Sequence, residues 1–259
     1  NYKIKKGKWI VKDPISINKN IIIEKGTELL FMENTYLIVK GNIEIHGEES
    51  QKVVLKSLNK NWKGIYVYEG KGQSVINHAE ISDVSFLKDG ILELTGGINF
   101  YKSDIKISNT NFVNTNAEDF LNIIHSNFEL DNVRFSNSTS DAFDSDFSKG
   151  TIQNSFFDNI EGDGIDFSGS EVTIENTIFT NIKDKAVSAG EESFLIINKI
   201  EADSIGVGVA SKDASIVNLT NSSFSNFELF ALMTYKKKAF YNYPKLNGEN
   251  LKFDRNNAL

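Results

Sequence analysis

Short alternations of apolar and polar residues dominate the chain, in runs such as Thr173-Ile174-Glu175 and Ile216-Val217-Asn218. β-branched and aromatic residues fill these runs, and Asn, Ser, Gly and Asp punctuate them. This is the period-two signature of strands, not the 3.6-residue period of helices. The pattern itself recurs. N-x-x-F-x-N occurs at Asn109–Asn114, Asn132–Asn137, Asn154–Asn159, Asn176–Asn181 and Asn221–Asn226, with a degenerate copy at Asn198–Asp203. Successive first residues lie 23, 22, 22, 22 and 23 positions apart. A fixed period of this size signals stacked units; leucine-rich repeats are of similar length, but their leucine and helix signature is absent. Three short strands with turns fit a unit of about 22 residues. Each N-x-x-F-x-N is then a turn followed by an inward Phe. Asn suits the turn because it tolerates left-handed backbone angles, and stacked Asn side chains can hydrogen-bond along the stack.

The first third speaks another dialect of the same pattern, in "IIIEKGTELLFMENTYLIVKGNIEIHG" and "VVLKSLNKNWKGIYVYEG". Together these phrases and the Asn/Phe repeats resemble the right-handed parallel β-helices of the pectin-lyase-like superfamily, over nearly the whole chain. The resemblance implies an all-β fold, a single right-handed parallel β-helix (solenoid) with three short strands per coil. At this period the chain makes about 10 coils, a rod roughly 50 Å long. One domain is expected over residues 1–259: N-terminal coils in 1–95, regular Asn/Phe coils in 96–235, and a loop plus last coil in 236–259. The opening lysine-rich segment is expected to cover the first coil, and a neighbouring domain or subunit to cover the C-terminal end, because open strand edges invite association. The resemblance to exported bacterial β-helices implies an extracellular, cell-surface or periplasmic location.

Aligned by their first Asn, the repeats give columns. Position +11 reads Phe143, Ile165, Val187, Val209 and Leu232, and should point inward. Position +12 reads Asn122, Asp144, Asp166, Ser188, Ala210 and Met233, and should point outward. Position +9, at the strand entrance, reads Asp119, Asp141, Asp163 and Lys185; position +14 includes Asp146, Lys212 and Tyr235. Position +10 holds only Ala142, Gly164, Ala186, Gly208 and Ala231, as a shallow groove floor or a tight bend requires. The stretch Ser140–Ser170, where D-A-F-D is answered by D-G-I-D, therefore stacks its aspartates on one outer face.

Charge narrows the partners. The net charge is -7, and Arg134 and Arg255 are the only arginines, which disfavours nucleic acid and anionic membrane. No apolar run approaches the length of a membrane span, and no signal peptide is visible. The absence of cysteine rules out disulfides and thiolate metal sites, and the scatter of His46, His78 and His125 argues against a His-based zinc site.

Three readings of the stacked aspartates stay open. They hold a cation such as Ca²⁺, with Asp144, Asp146 and Asp166 as ligands. They split their pKa values and act as acid and base on a glycosidic bond. Or they are turn formers only. Pectate lyases of the resembled superfamily use acidic Ca²⁺ ligands and an Arg or Lys base, which Lys185 or Lys212 would supply here. Its pectin-type hydrolases carry an Asp trio, imitated by Asp144, Asp163 and Asp166, but their G-H-G and R-x-K motifs are absent. The D-P-H-D motif of its mannuronan epimerases is absent too. The expected function is thus an exported carbohydrate-active or polysaccharide-binding β-helix, a lyase or a hydrolase if catalytic. Asp144, Asp163, Asp166, Lys185 and Lys212 would be its chemical groups. Asn122, Asp141, Ser188, Tyr235 and His125 would contact a glycan, anionic chains included through the lysines. The alternative is a non-catalytic adhesin, stalk or interaction module. Trp62, Tyr66 and Tyr68 read equally as strand packing or sugar stacking, while Asn99, Tyr101 and Lys102 lie near the Gly96-Gly97 pair, which marks a bend more often than a site.

Overall fold

A computed structural model describes residues 1–254; the last positions of the 236–259 segment, with Arg255, lie outside the described residues. The chain winds as an all-β, right-handed parallel β-helix of about 10 coils. All solenoid pairings are parallel, each strand bonding to its equivalent one coil away. Among the described residues the antiparallel ladder is a hairpin, Leu87–Asp89 with Leu92–Leu94, which forms a two-stranded sheet separate from the solenoid.

Three inward columns explain the repeat. On one wall Ile23, Ile45, Ile76, Ile107, Leu130, Ile152, Ile174, Ile197 and Leu219 are in register and fully buried. On the second, the repeat Phe residues stack. Ring centroids lie 4.5 Å apart for Phe112–Phe135 and 5.0 Å for Phe135–Phe157 and Phe157–Phe179. Ala202, from the degenerate copy, interrupts this ladder beneath Phe224. The third column is the predicted one, Phe143-Ile165-Val187-Val209-Leu232.

Both Asn positions of the motif adopt positive φ, from 48° at Asn176 to 61° at Asn114. Their amides bond along the stack: Asn132 donates to Asn109 (2.8 Å), Asn176 to Asn154 (2.8 Å), Asn137 to Asn114 (2.9 Å) and Asn159 to Asn137 (2.7 Å). A second ladder is built from serines: the backbone N–H groups of Ser126, Ser148, Ser170 and Ser193 each donate to the Oγ of the serine one coil on, all at 3.1 Å.

Two expectations are corrected. Position +10 is no groove floor: its residues face inward, and a Cβ on Gly208 would lie 2.5 Å from the Phe224 ring. Small residues stand there because the Phe ladder fills the space. The opening segment does not cover the first coil but forms it, with Tyr2–Ile4, Gly7–Val11 and Ile15–Ile17 pairing to the next three strands. Trp62 is fully buried, stacked on Phe31 at 3.9 Å, with its indole N–H on the Ser82 carbonyl; it is a packing residue. Among the described residues no helix is long and apolar enough to cross a membrane.

Candidate functional site: an acidic wall on the third strand face

The third wall is made by Ile65–Tyr68, Gly96–Tyr101, Asp119–Ile124, Asp141–Asp146 and Ile165–Ser168, continued by the ends of Glu171–Gly190 and Phe194–Lys212. Its central outward column reads Tyr66, Asn99, Asn122, Asp144, Asp166, Ser188, Ala210 and Met233 in continuous register. Alternation forces this outcome, because Leu121, Phe143 and Ile165 beside these residues point into the core. Strand entrances add Asp119, in register with Asp141. Asp141 Oδ1 then accepts the N–H of Asp163 (2.7 Å), and Asp163 Oδ1 accepts the N–H of Lys185 (2.9 Å). These carboxylates therefore cap the strand entrance of the coil above. Gly162 is required there, since a Cβ would lie 2.1 Å from Asp141 Oδ1.

Asn122 knits the wall: its amide donates to Asp119 Oδ2 at 2.9 Å and to Asp144 Oδ2 at 3.4 Å. Its own Oδ1 is buried without a partner. Carboxylate oxygens of Asp141, Asp163 and Asp166 lie within 4.8 Å of one another. Crowding and burial keep protons on the wall. Burial first, then the charges of Asp119, Asp146, Asp166 and Asp141, push Asp144 up to about 9. Burial raises Asp141 to about 6, against the opposing pull of the Asp163 N–H. Asp119 and Asp163 are raised for the same chief reason, with Asn122 and Lys185 respectively working the other way. Asp146 is raised by burial and by Glu191.

The lysines are not free. Lys185 Nζ contacts Asp163 Oδ1 at 3.0 Å and Asp184 Oδ2 at 2.6 Å. Burial works against its charge, but the two carboxylates outweigh it and hold it protonated above the ordinary lysine range. Lys212 Nζ reaches Asp166 Oδ1 at 3.3 Å. Those two residues lie two coils apart, so the Lys212 side chain crosses the intervening coil. Gly190 leaves room for it, as a Cβ there would meet Lys212 Cε at 3.3 Å. This crossing, with the neighbouring coil, explains why Ser188 is fully buried rather than facing solvent, its Oγ unpartnered. Ser188 is thus removed from the glycan contacts expected of it.

Other expected residues separate. Tyr235 pairs in register with Lys212, on the strand three coils beyond Asp166, about 14 Å along the rod, and does not join the cluster. Asp146 stands two residues from Asp144, about 6.6 Å along the strand. The expected metal set Asp144-Asp146-Asp166 is therefore not the one the fold converges; Asp141, Asp163 and Asp166 are. Ca²⁺ takes six to eight oxygens, and here Asp163 and Asp166 already carry lysine ammonium groups. The donor set fits Ca²⁺ poorly, and no step below passes through a metal. His125 is exposed at the rim, its ring stacked on Phe147 at 5.2 Å and edge-on to Tyr101 at 6.1 Å. Sequence columns did not single out Phe147 and Glu191, which sit at turns, or Asp184, which lies at the register irregularity between Ile182 and Lys185; the period carries no orientation at such positions. Lys236–Lys238 is likewise no free loop: the N–H groups of Lys237 and Lys238 donate to Asp213 Oδ1, and Lys238 Nζ pairs with Glu191.

With this geometry in place, comparison defines the class. The family model described as the right-handed beta helix region matches residues 121–258, more than half of the chain, and the chain belongs to that family. No curated protein matches. Among solved structures, the chain is similar to the gp42 tailspike of an Acinetobacter phage, at 9% identity and a TM-score of 0.43. That match covers 98% of this chain, which spans 57% of the tailspike. It is also similar to an alginate lyase from Paenibacillus, at 10% identity and TM-score 0.36, covering 89% of this chain and 91% of the lyase. A third is the Streptococcus pneumoniae surface protein and adhesin PfbA, at 13% identity and TM-score 0.39, covering 91% and 89%. Such likenesses concern the fold.

Proposed function

We propose that the acidic wall binds a glycan and hydrolyses a glycosidic bond, with Asp144 as proton donor and Asp166 as the ion-paired carboxylate that serves the attacking water or the anomeric carbon. One observation carries this reading. Two register-matched aspartates on adjacent coils have different surroundings: Asp144 is held neutral at pH 7, while Asp166 faces a lysine ammonium. Carboxyl pairs driven apart in this way divide acid and base roles. Elimination is less well served. It needs an unprotonated base beside a uronate, and Lys185 is held protonated. Arg134 lies on another wall, stacked on Phe156 at 4.1 Å and 3.8 Å from Asp158.

The charge also selects the glycan. Six aspartates share the wall with two lysines already engaged, so a neutral chain meets less repulsion than a polyuronate. An extracellular, cell-surface or periplasmic site of action accords with a polymeric glycan as partner. The test is a panel of neutral and uronic polysaccharides assayed for reducing ends and for unsaturated products, with Asp144→Asn and Asp166→Asn alongside. Reducing ends lost in both variants support the reading. Full activity in both removes these residues from the chemistry, and binding without turnover by the wild type makes the wall a lectin-like or adhesive surface instead.

A further inference from the structure

A row of aromatic rings leads away from the acidic wall toward the N-terminal end of the rod. Tyr66 and Tyr68 stack with centroids 5.1 Å apart. Tyr68 is in register with Tyr101 on the next coil. Tyr101 meets His125 edge-on, and His125 stacks on Phe147. The row spans four successive coils, about 14 Å at the strand spacing. Its last member directly follows Asp146, and its first lies in the same outward column as Asp144.

Packing accounts for part of this row, since Tyr66 stacks on Tyr68 and His125 on Phe147, and Lys40 and Lys102 place their ammonium groups 5.7 Å and 5.1 Å from the Tyr68 and Tyr101 ring centroids, but it does not account for the row's exposure. His125 and Phe147 are exposed, Phe147 by 55%, and the tyrosines are only half-buried. Phe147 also takes a positive φ of 50°, a conformation unfavourable for a bulky side chain. Equivalent turn positions on other coils hold Glu69, Lys102 and Glu191, so the fold itself asks for no aromatic there. Gly169, one coil on, leaves the ring its space; a Cβ would lie 2.6 Å from Phe147 Cδ1. An exposed aromatic placed at conformational cost, in line with four others, points to a ligand with flat apolar faces and a hydroxylated rim. Pyranose rings have both. Tyrosine and histidine present an apolar body with a polar tip to such a ligand.

We infer that Tyr66 with Tyr68, then Tyr101, His125 and Phe147, form a strip of subsites, one per coil, for the sugar rings of an uncharged glycan chain lying along the rod axis, on the N-terminal side of the bond cleaved. This rests on the proposed glycan reading and deepens it. The strip is one-sided. Beyond Asp166 the same column becomes Ser188, beneath the Lys212 crossing, and Ala210, both fully buried. Affinity therefore grows with chain length through rings added on the tyrosine side. An uncharged chain suits a strip that meets the carboxylates of Asp144 and Asp146 at one end and the Lys40 and Lys102 ammonium groups toward the other.

Calorimetric titration with cello-, laminari-, malto- and xylo-oligosaccharides of two to six units tests this, on the wild type and on Tyr101→Ala, His125→Ala and Phe147→Ala. Lys106→Ala, on a different wall, is the control, and thermal melts check folding. In the series that binds, the wild type tightens with each added unit. Each strip variant is expected to lose about tenfold in affinity for the six-unit chain, one stacking contact's worth, while the control keeps it. Exposed His125→Ala guards against loss of fold at Tyr101. Unchanged affinity in all three variants, with cleavage still dependent on Asp144, overturns the strip and leaves the proposed chemistry standing. Absence of binding to every neutral series, with cleavage of another glycan in the polysaccharide panel, also overturns the strip and leaves the chemistry standing; absence of both binding and cleavage overturns both.

Discussion

Asp144 and Asp166 are register partners on adjacent coils, yet among the described residues only Asp166 has an ammonium partner, Lys212 at 3.3 Å. The difference has a simple origin. The Lys212 arm descends two coils over Gly190 and ends at Asp166, one coil short of Asp144. Asp144 instead receives only the long contact from the Asn122 amide, and burial among like charges keeps its proton on.

A first consequence concerns turnover. Asp144→Asn preserves shape and hydrogen bonding but has no proton to give. It should lower hydrolysis by about 10²–10⁴-fold with glycan affinity retained, measured as kcat and KM on the substrate found by the panel. Loss of affinity with kcat intact would place Asp144 in binding only. Wild-type activity should decline on the alkaline side as pH passes about 9, where Asp144 ionises.

Stability should depend on pH with a definite sign. The unfolded Asp144 carboxyl ionises near 3.8, and the folded one at about 9. Between these values the native state binds more protons, so stability falls as pH rises. Asp141 adds the same trend up to about pH 6. Melting the wild type and Asp144→Asn at pH 5 and pH 8 should show a smaller drop in the variant. Equal drops would show that Asp144 is not protonated in the fold.

Lys185→Met should be costly, because it leaves Asp163 buried without its cation. Loss of one partner from such a pair is worth about 3–5 kcal/mol, readable by denaturant unfolding. Adding Asp163→Asn should restore part of the loss. If the double variant is no better than the single one, lost packing of the lysine stem is the main effect.

Gly164→Ala tests the small-residue column. The new Cβ would stand 2.7 Å from the Ala186 carbonyl oxygen and 3.0 Å from the Phe179 ring. Overpacking of this kind costs about 1–3 kcal/mol. A neutral result would mean that the Phe ladder yields, contrary to its close ring stacking.

Chelation should do little. Treatment with EDTA is expected to leave both melting temperature and hydrolysis unchanged, since lysines already occupy the converging carboxylates. A clear loss restored by Ca²⁺ would return the cation reading of these aspartates.

By itself the sequence determined the solenoid, its period, the inward Phe and Asn ladders, and the stacking of Asp144 on Asp166. Each follows from local rules, repeat length and strand alternation, that act at every coil alike. Tertiary structure decided what those rules do not reach. It sent the Lys212 arm across two coils, buried Ser188 beneath it, tied Lys185 to Asp163 and Asp184, and lined Phe147 with His125 and Tyr101. Long side chains and turn residues choose partners by distance in space, and a one-dimensional period carries no information about how far a lysine reaches or where a turn aims its ring.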